Sequence, residues 1–222
     1  MIIQIVPCNL IFDIGANDGH KTAAFLEIAK KVVCCEPDPR SFHTLQTRFR
    51  SKKNRVALVN KAVSNHQGEA SLSIHHGGSA FNTLNKKWID ILEKDNLQRW
   101  NEKIHFTESV SVKLTTLDDL IDQYGIPDFI KIDVEGSELQ VLKGLNTKVP
   151  LLSFECLLPE FMPELRQCLG HLNKLEGRAA YNIISDERLF FNDFVNADDV
   201  FKWLNQTTAP SFEILARMDT AN

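Results

Sequence analysis

Residues 10–19 read LIFDIGANDG, a short and mostly apolar run followed by a turn with glycine at positions 15 and 19. The run is too short for an ordinary helix and has the composition of a buried strand. Residues 22–31 then show helical spacing of apolar side chains, and residues 32–36 form a second apolar run. A strand, a glycine turn, a helix and another strand in this order predict one unit of an α/β fold.

The alternation of short apolar runs with helix-period segments continues along most of the chain. Further strands are predicted at residues 56–60, 128–133, 151–155, 181–185 and 212–217. Helices are predicted at residues 41–50, 117–124, 137–143 and 160–176, with a short one around Val200. This alternation predicts a mostly parallel sheet, with right-handed crossovers and helices on both faces.

Two segments break the strict alternation, the C-terminal part at residues 181–217 and a longer stretch at residues 69–113. Residues 69–113 contain an alternating apolar and polar run, a His-His-Gly-Gly turn, a helix-like stretch around Trp88 and a second alternating run. This pattern predicts a β-ribbon and a helix inserted into the α/β plan. Because no linker-like composition is visible, residues 1–222 are predicted to form a single domain.

Composition narrows the classes of function. The 222 residues include 25 basic and 29 acidic side chains, a formal net charge of −4. Neither sign forms a long block, so we expect no general affinity for nucleic acid. The absence of a long apolar run and of a basic leader predicts a cytoplasmic protein without a membrane partner. The five cysteines form no CxxC pair, which favours buried reduced thiols.

Polar residues follow three of the predicted strands, where an open parallel sheet binds its ligands. Residues 13–19 form the glycine turn, residues 36–39 read EPDP, and residues 133–136 read DVEG. A glycine turn lets a ligand approach the backbone closely. An acidic side chain such as Glu36, about twenty residues further on, can accept hydrogen bonds from both hydroxyls of a ribose. The combination predicts a site for a nucleoside-containing cofactor.

The turn also bears on which cofactor binds. Gly15 and Gly19 alone can equally well shape a tight strand-to-helix junction. A nicotinamide dinucleotide site usually has G-x-G-x-x-G and no carboxylate at the end of the first strand, whereas this turn reads G-x-x-x-G after Asp13. An anion beside Asp13 would cost free energy, but S-adenosylmethionine carries an ammonium and a sulfonium and no phosphate. The turn therefore favours a methyl donor, with a nicotinamide-dependent oxidoreductase as the weaker alternative.

Five blocks of sequence, in the same order, resemble the FkbM family of S-adenosylmethionine-dependent methyltransferases. They are residues 13–19 (DIGANDG), 36–39 (EPDP), 60–64 (NKAVS), 116–121 (TLDDLI) and 129–138 (FIKIDVEGSE). The last block is the most specific, and the resemblance covers about residues 9–155. It implies a Rossmann-like methyltransferase fold with a seven-stranded sheet. It also implies methyl transfer to a hydroxyl oxygen, on a sugar or a natural-product scaffold.

The resemblance further implies which residues hold the cofactor. The backbone cradle of the methionine portion falls on Gly15, Ala16, Asn17 and Gly19. Asp13 would support that loop or meet the amino group of the cofactor. Beside the adenosine, the resemblance implies Glu36 for the ribose, Pro37 for the turn and Ala62 for the adenine edge.

Methyl transfer from a sulfonium is an in-line displacement that depends on alignment, and a hydroxyl acceptor must also lose its proton. Asp133 and Glu135 are the candidate catalytic residues, because they follow the fourth strand where donor and acceptor would meet. Alternatively, Asp133 orders the cofactor loop and Glu135 caps the helix that opens at Ser137. If both carboxylates face the cleft with another oxygen ligand, Mg²⁺ could activate the hydroxyl instead.

The acceptor is expected to be a small hydroxylated molecule. Residues 69–113, or the segment after residue 181, are the candidates for its cover. A cofactor-binding module without catalytic activity is an alternative of a different class. It is disfavoured because carboxylates follow the first, second and fourth strands, and a decayed site has no physical reason to keep all three.

Overall fold

The structure is a computed structural model that describes residues 8–95, 100, 103–177, 179–185 and 188–218. Within these residues the strands are β1 (Cys8–Ile14), β2 (Ala29–Cys35), β3 (Val56–Val59), β4 (Ala62–Val63), β5 (Gly68–Ile74), β6 (Glu108–Thr115), β7 (Phe129–Ile132), β8 (Leu151–Leu157), β9 (Ala180–Ser185), β10 (Arg188–Leu189) and β11 (Ser211–Arg217). The helices are α1 (His20–Phe25), α2 (Pro39–Arg48), α3 (Lys86–Glu93), α4 (Leu117–Tyr124), α5 (Glu138–Lys143), α6 (Met162–Glu176) and α7 (Ala197–Leu204).

The main sheet has the strand order β10-β9-β11-β8-β7-β1-β2-β3. Strands β3, β2, β1, β7 and β8 pair in parallel, while β11 runs antiparallel to both β8 and β9. The predicted α/β fold with a mostly parallel sheet is confirmed. Seven strands form the expected sheet, and the short β10, paired antiparallel with β9, adds an eighth at the edge of the described sheet.

Strand β1 lies in the middle of this sheet and is buried on both faces. Phe12 packs in one core cluster and Ile11 in a second, and neither side chain is exposed. Burial on both sides explains why the strand reads as a nearly continuous apolar run. The predicted buried thiols are also confirmed, since all five cysteines are buried and unbridged.

The helix predicted at residues 22–31 is shorter than expected. Helix α1 ends at Phe25, and Ala29 already begins β2, where it pairs with Cys8 of β1. The helical spacing of apolar residues is a local signal, and the pairing of β2 with β1 overrides it here. By contrast, α4 has the predicted bounds because Thr116 caps its first turn and Gly125 ends it. Among the described helices, none combines the length and the apolar composition that crossing a bilayer requires.

The predicted insertion is a small sheet and a helix. Strands β4, β6 and β5 form a three-stranded sheet in that order, with β5 and β6 antiparallel, and α3 lies between β5 and β6 in the chain. Residues 96–99 and 101–102 of the predicted segment lie outside the described residues. Asp38, which follows β2, ties the insertion to the main sheet. Its Oδ2 accepts the backbone N–H of Gly78 and the side-chain amide of Asn82, both at 2.9 Å.

We predict that Asp38→Ala destabilises the protein more than the loss of a helix cap alone. Oδ1 of Asp38 also caps α2 by accepting the N–H of Arg40, so the variant loses the cap and both hydrogen bonds to the insertion. The free energy of unfolding should fall by about 2–4 kcal/mol. Urea denaturation measures this change.

Asn196→Ala is the matched control, because the Asn196 side chain caps α7 through the N–H of Asp199. It should cost about 1 kcal/mol. An equal fall in the free energy of unfolding for Asp38→Ala and Asn196→Ala would show that Asp38 acts only as a helix cap and does not hold the insertion.

Candidate active site

An open cleft of about 600 Å³, counted with its mouth, lies at the carboxyl ends of β1, β2 and β7. Its lining includes Gly15, Asn17, Glu36, Pro37, Asp133 and Glu135 from the strand ends, and Lys61, Ala62, Val63, Leu72, Ser79, Ala80, Asn82, Thr83 and Leu84 from the chain after β3. Most of the predicted site residues therefore share one cleft. The three others, Asp13, Ala16 and Gly19, are buried behind it.

The glycine turn packs tightly against the end of β7. Gly15 has a positive φ of 82°, and a Cβ at this position would lie 1.8 Å from the carbonyl oxygen of Asp133. The N–H groups of Gly15 and Ala16 both donate to the carbonyl of Cys35, at 3.0 Å. Gly19, at φ 81°, has no room for a side chain against Leu45. Both glycines thus shape the junction, and Gly15 also lines the cleft.

Glu36 is fixed at the end of β2 by two backbone N–H groups. Its Oε2 accepts the N–H of Asn17 at 2.7 Å, and its Oε1 accepts the N–H of Asp38 at 2.9 Å. Burial raises the pKa of Glu36 to about 7, although both hydrogen bonds favour the ionised form. A carboxylate has about four acceptor positions, so both oxygens can still accept a hydroxyl from the cleft.

Asp13 lies at the end of β1, but its side chain points away from the cleft. It is 1% exposed, and its Oδ2 accepts the hydroxyl of Thr22 in α1. Burial raises the pKa of Asp13 to about 6. Of the two roles expected for Asp13, these contacts favour support of the glycine turn.

Asp133 forms ion pairs with two lysine ammonium groups. Its Oδ2 lies 3.0 Å from Nζ of Lys21 in α1 and 3.2 Å from Nζ of Lys131 in β7. Burial opposes ionisation, but the two lysines outweigh it and hold the pKa of Asp133 below its ordinary value. Lys131 is itself buried and also lies 3.4 Å from Oε1 of Glu213. Its carboxylate partners raise the pKa of Lys131 despite that burial, so Asp133 and Lys131 are both charged near neutral pH.

Glu135 sits in the opposite electrostatic environment. Its Oε2 accepts the indole N–H of Trp88 at 3.0 Å. Burial, together with the nearby carboxyls of Asp133, Glu155 and Glu138, raises the pKa of Glu135 well above its ordinary value. A pair of carboxyls whose pKa values are pushed apart is typical of sites of acid–base chemistry.

The turn after β7 is held by Glu138 and not by Glu135. Oε1 of Glu138 accepts the N–H of Val134 at 3.2 Å and that of Gly136 at 3.3 Å. The side chain of Ser137, the residue that precedes α5, makes no capping hydrogen bond, and the side-chain bond given for Glu135 comes from Trp88. The structural alternative in which Glu135 caps this helix is therefore not what the contacts show.

Three carboxyls in this region lie close together. Asp133, Glu135 and Glu155 each offer an oxygen within 4.8 Å of the other two. Such a spacing can hold a divalent cation. Lys21 and Lys131 already compensate the charge of Asp133, and the Mg²⁺ ion considered from the sequence stays a prediction.

Sequence reasoning missed several residues that shape this site. The sequence patterns place Lys131 and Glu155 only in predicted strands, and Trp88 only in a predicted helix. A signal for the first two exists, because a charged residue inside an apolar strand needs a buried partner. Trp88 gives no such signal, since a tryptophan in a helix is expected to pack in the core.

Two relatives with assigned activities match part of the chain. The 2-O-methyltransferase NoeI of Sinorhizobium fredii is 30% identical over 146 residues, which are 62% of this chain and 58% of NoeI. The hexuronic acid methyltransferase AglP of Haloferax volcanii is 24% identical over 148 residues, which are 66% of this chain and 54% of AglP. The matched region thus spans little more than half the length of either relative.

The fold and the domain family agree with these matches. The crystal structure of the methyltransferase FkbM from Methylobacillus flagellatus superposes with a TM-score of 0.58 and 16% identity, over 95% of this chain and 43% of that chain. The sequence profile of the methyltransferase FkbM domain matches residues 13–202. The chain therefore belongs to the FkbM methyltransferase family.

Proposed function

We propose that this chain is an S-adenosylmethionine-dependent O-methyltransferase that acts on a hydroxyl of a sugar or of a similar small molecule. The observation that carries the proposal is that one cleft contains the fixed carboxyl of Glu36 and two carboxyls of opposed pKa, Asp133 and Glu135. The printed activities of NoeI and AglP, a 2-O-methyltransferase and a hexuronic acid methyltransferase, support an acceptor of this class.

The residues of the cleft fit this cofactor. Gly15 leaves a surface without a side chain beside the end of β7, and Glu36 retains acceptor capacity for the ribose hydroxyls. Pro37 and Ala62 line the same cleft as Glu36 and suit the adenosine. Ala16 and Gly19 shape the turn from behind, and Asp13 holds it to α1 through Thr22. When bound, S-adenosylmethionine supplies a methyl group activated by its sulfonium.

Glu135 is the better candidate to take the proton of the acceptor hydroxyl. A general base needs a higher proton affinity than an ordinary carboxylate has, and burial among other carboxyls raises the pKa of Glu135 well above its ordinary value. Asp133 remains ionised between its two lysines and can accept a hydrogen bond from the acceptor without taking the proton. In this assignment Asp133 would orient the hydroxyl and Glu135 would take its proton. The methyl group would pass from the sulfonium to the hydroxyl oxygen, and the sulfur would keep the electron pair of the broken sulfur–carbon bond.

We predict that the folded protein binds S-adenosylhomocysteine and that Glu36→Gln weakens this binding about 5- to 150-fold. The substitution removes the charge-assisted bonds to the ribose, which are worth about 1–3 kcal/mol. Isothermal titration calorimetry measures the dissociation constants. Glu27→Gln, at an exposed site in the turn after α1, is the control and should bind like the original protein. No detectable binding would overturn the cofactor assignment, and an unchanged affinity of Glu36→Gln would remove Glu36 from the site.

The affinity for S-adenosylhomocysteine should also fall as the pH is lowered. The pKa of Glu36 is about 7 without ligand, and donation by the ribose hydroxyls favours the ionised carboxylate. Binding is therefore strongest above pH 7 and weakens as the carboxyl is protonated, by up to about tenfold between pH 8 and pH 6. Titrations across this range check the trend. Glu36→Gln should abolish this dependence, and an affinity that rises toward low pH would contradict the role given to Glu36.

We predict that Glu135→Gln lowers methyl transfer by about 100-fold or more while the affinity for S-adenosylhomocysteine stays within about twofold. Asp133→Asn should also reduce turnover with little change in that affinity. The measurement is transfer of a labelled methyl group to a panel of sugars and uronic acids, with RNA as a further acceptor. Glu27→Gln again serves as the control. Full activity of Glu135→Gln would exclude it as the base, and transfer to RNA alone would contradict the proposed acceptor class.

A further inference from the structure

The insertion reaches the candidate base through one tryptophan. Trp88 of α3 is fully buried, with its ring packed edge-on against Trp100, at 6.0 Å between centroids, and against Phe161, at 5.8 Å. Its indole N–H donates to Oε2 of Glu135 at 3.0 Å. The surrounding aromatic rings therefore fix the direction of a hydrogen bond that ends on the carboxylate.

The same insertion also holds the backbone of the Glu135 turn. The hydroxyl of Thr83 donates to the carbonyl of Glu135 at 2.7 Å, and the side-chain amide of Asn85 donates to the carbonyl of Gly136. Glu135 has a positive φ of 53°, a conformation that side chains other than glycine rarely adopt. Such a conformation persists only when the surroundings determine it. Residues 83–88 of the insertion supply three of those contacts.

We propose that Trp88 is a positioning residue for Glu135, so that the segment covering the cleft also sets the group that takes the proton of the acceptor. The inference rests on the role given to Glu135 in the proposed function. The indole N–H uses one acceptor position of Oε2, so the Glu135 carboxylate keeps acceptor capacity for the acceptor hydroxyl. Cover of the cleft and placement of the base then depend on one folded segment.

The hydrogen bond also acts on the charge of Glu135. The carboxyls that surround it, Asp133 after β7, Glu155 of β8 and Glu138 of α5, all disfavour its ionised form. The indole N–H of Trp88 favours that form, because it donates to the carboxylate. Loss of the donor therefore raises the pKa of Glu135 further.

A first experiment observes the contact directly and needs no acceptor. The chain has three tryptophans, so its ¹H–¹⁵N spectrum contains three indole signals, which Trp→Phe variants assign. We expect the Trp88 signal to move with pH as Glu135 ionises and to lose this movement in Glu135→Gln. The signal of Trp203, in α7, is the control and should not respond to Glu135→Gln. A Trp88 signal that is the same with and without the Glu135 carboxylate would overturn the proposal.

A second experiment separates positioning from packing. Trp88→Phe keeps an aromatic ring in the core but lacks the N–H, and Trp203→Phe is the matched control. We expect Trp88→Phe to lower kcat about tenfold, with the acceptor KM and the affinity for S-adenosylhomocysteine within about twofold. The rise of kcat with pH should move to higher pH, because the lost donor favoured the ionised base.

The outcomes of the two experiments are distinguishable. An unchanged kcat and an unchanged pH profile in Trp88→Phe would overturn the positioning role. A protein whose Trp88 signal follows Glu135, but which transfers no methyl group, would overturn the proposed function and leave the contact established.

Discussion

The close approach of Gly15 to the end of β7 is the constraint on which the site depends. Only a residue without a side chain can place the first turn this near to the carbonyl oxygen of Asp133. Because β1 lies between β2 and β7, this packing brings three strand ends together around one cleft. Glu36 meets Asp133 and Glu135 there, although it lies far from these two neighbouring residues in the sequence. The fold thus brings the polar side chains of the cleft together by placing the turns after β1, β2 and β7 side by side. Each turn contributes one or two of these side chains.

Within the cleft, two neighbouring carboxyls, Asp133 and Glu135, have opposite pKa shifts because their surroundings differ. Lys21 and Lys131 keep Asp133 ionised, whereas burial among other carboxyls keeps the proton affinity of Glu135 high. These differences come from elements outside the glycine turn, since Lys131 lies in β7 and the donor to Glu135 comes from the insertion. In the proposed function the insertion therefore contributes to the placement of the base as well as to the lining of the cleft.

The sequence predicts the sheet and most of the cleft because both follow from local patterns and one topological rule. Apolar runs mark the strands, and residues after parallel strands must share an edge, which brings Glu36 and Asp133 together. Local patterns fail where distant pairing decides, as at Ala29, which joins β2 instead of extending α1. They also fail for Trp88, because its hydrogen-bond partner Glu135 lies 47 residues away in the sequence. No residue near Trp88 in the sequence indicates that its indole N–H has a buried carboxyl partner. The contacts of Asp133 with Lys21 and Lys131 could not be predicted from local patterns, because they depend on the register of the strands and on the position of α1.

A crystal structure of the protein with S-adenosylhomocysteine bound tests the central claim most directly. The account predicts that the ribose hydroxyls lie within hydrogen-bonding distance of the Glu36 carboxylate, with the amino acid portion along the turn at Gly15. The sulfur should face the space in front of Asp133 and Glu135. A ligand bound elsewhere, or one whose sulfur points away from these two carboxyls, would contradict the account.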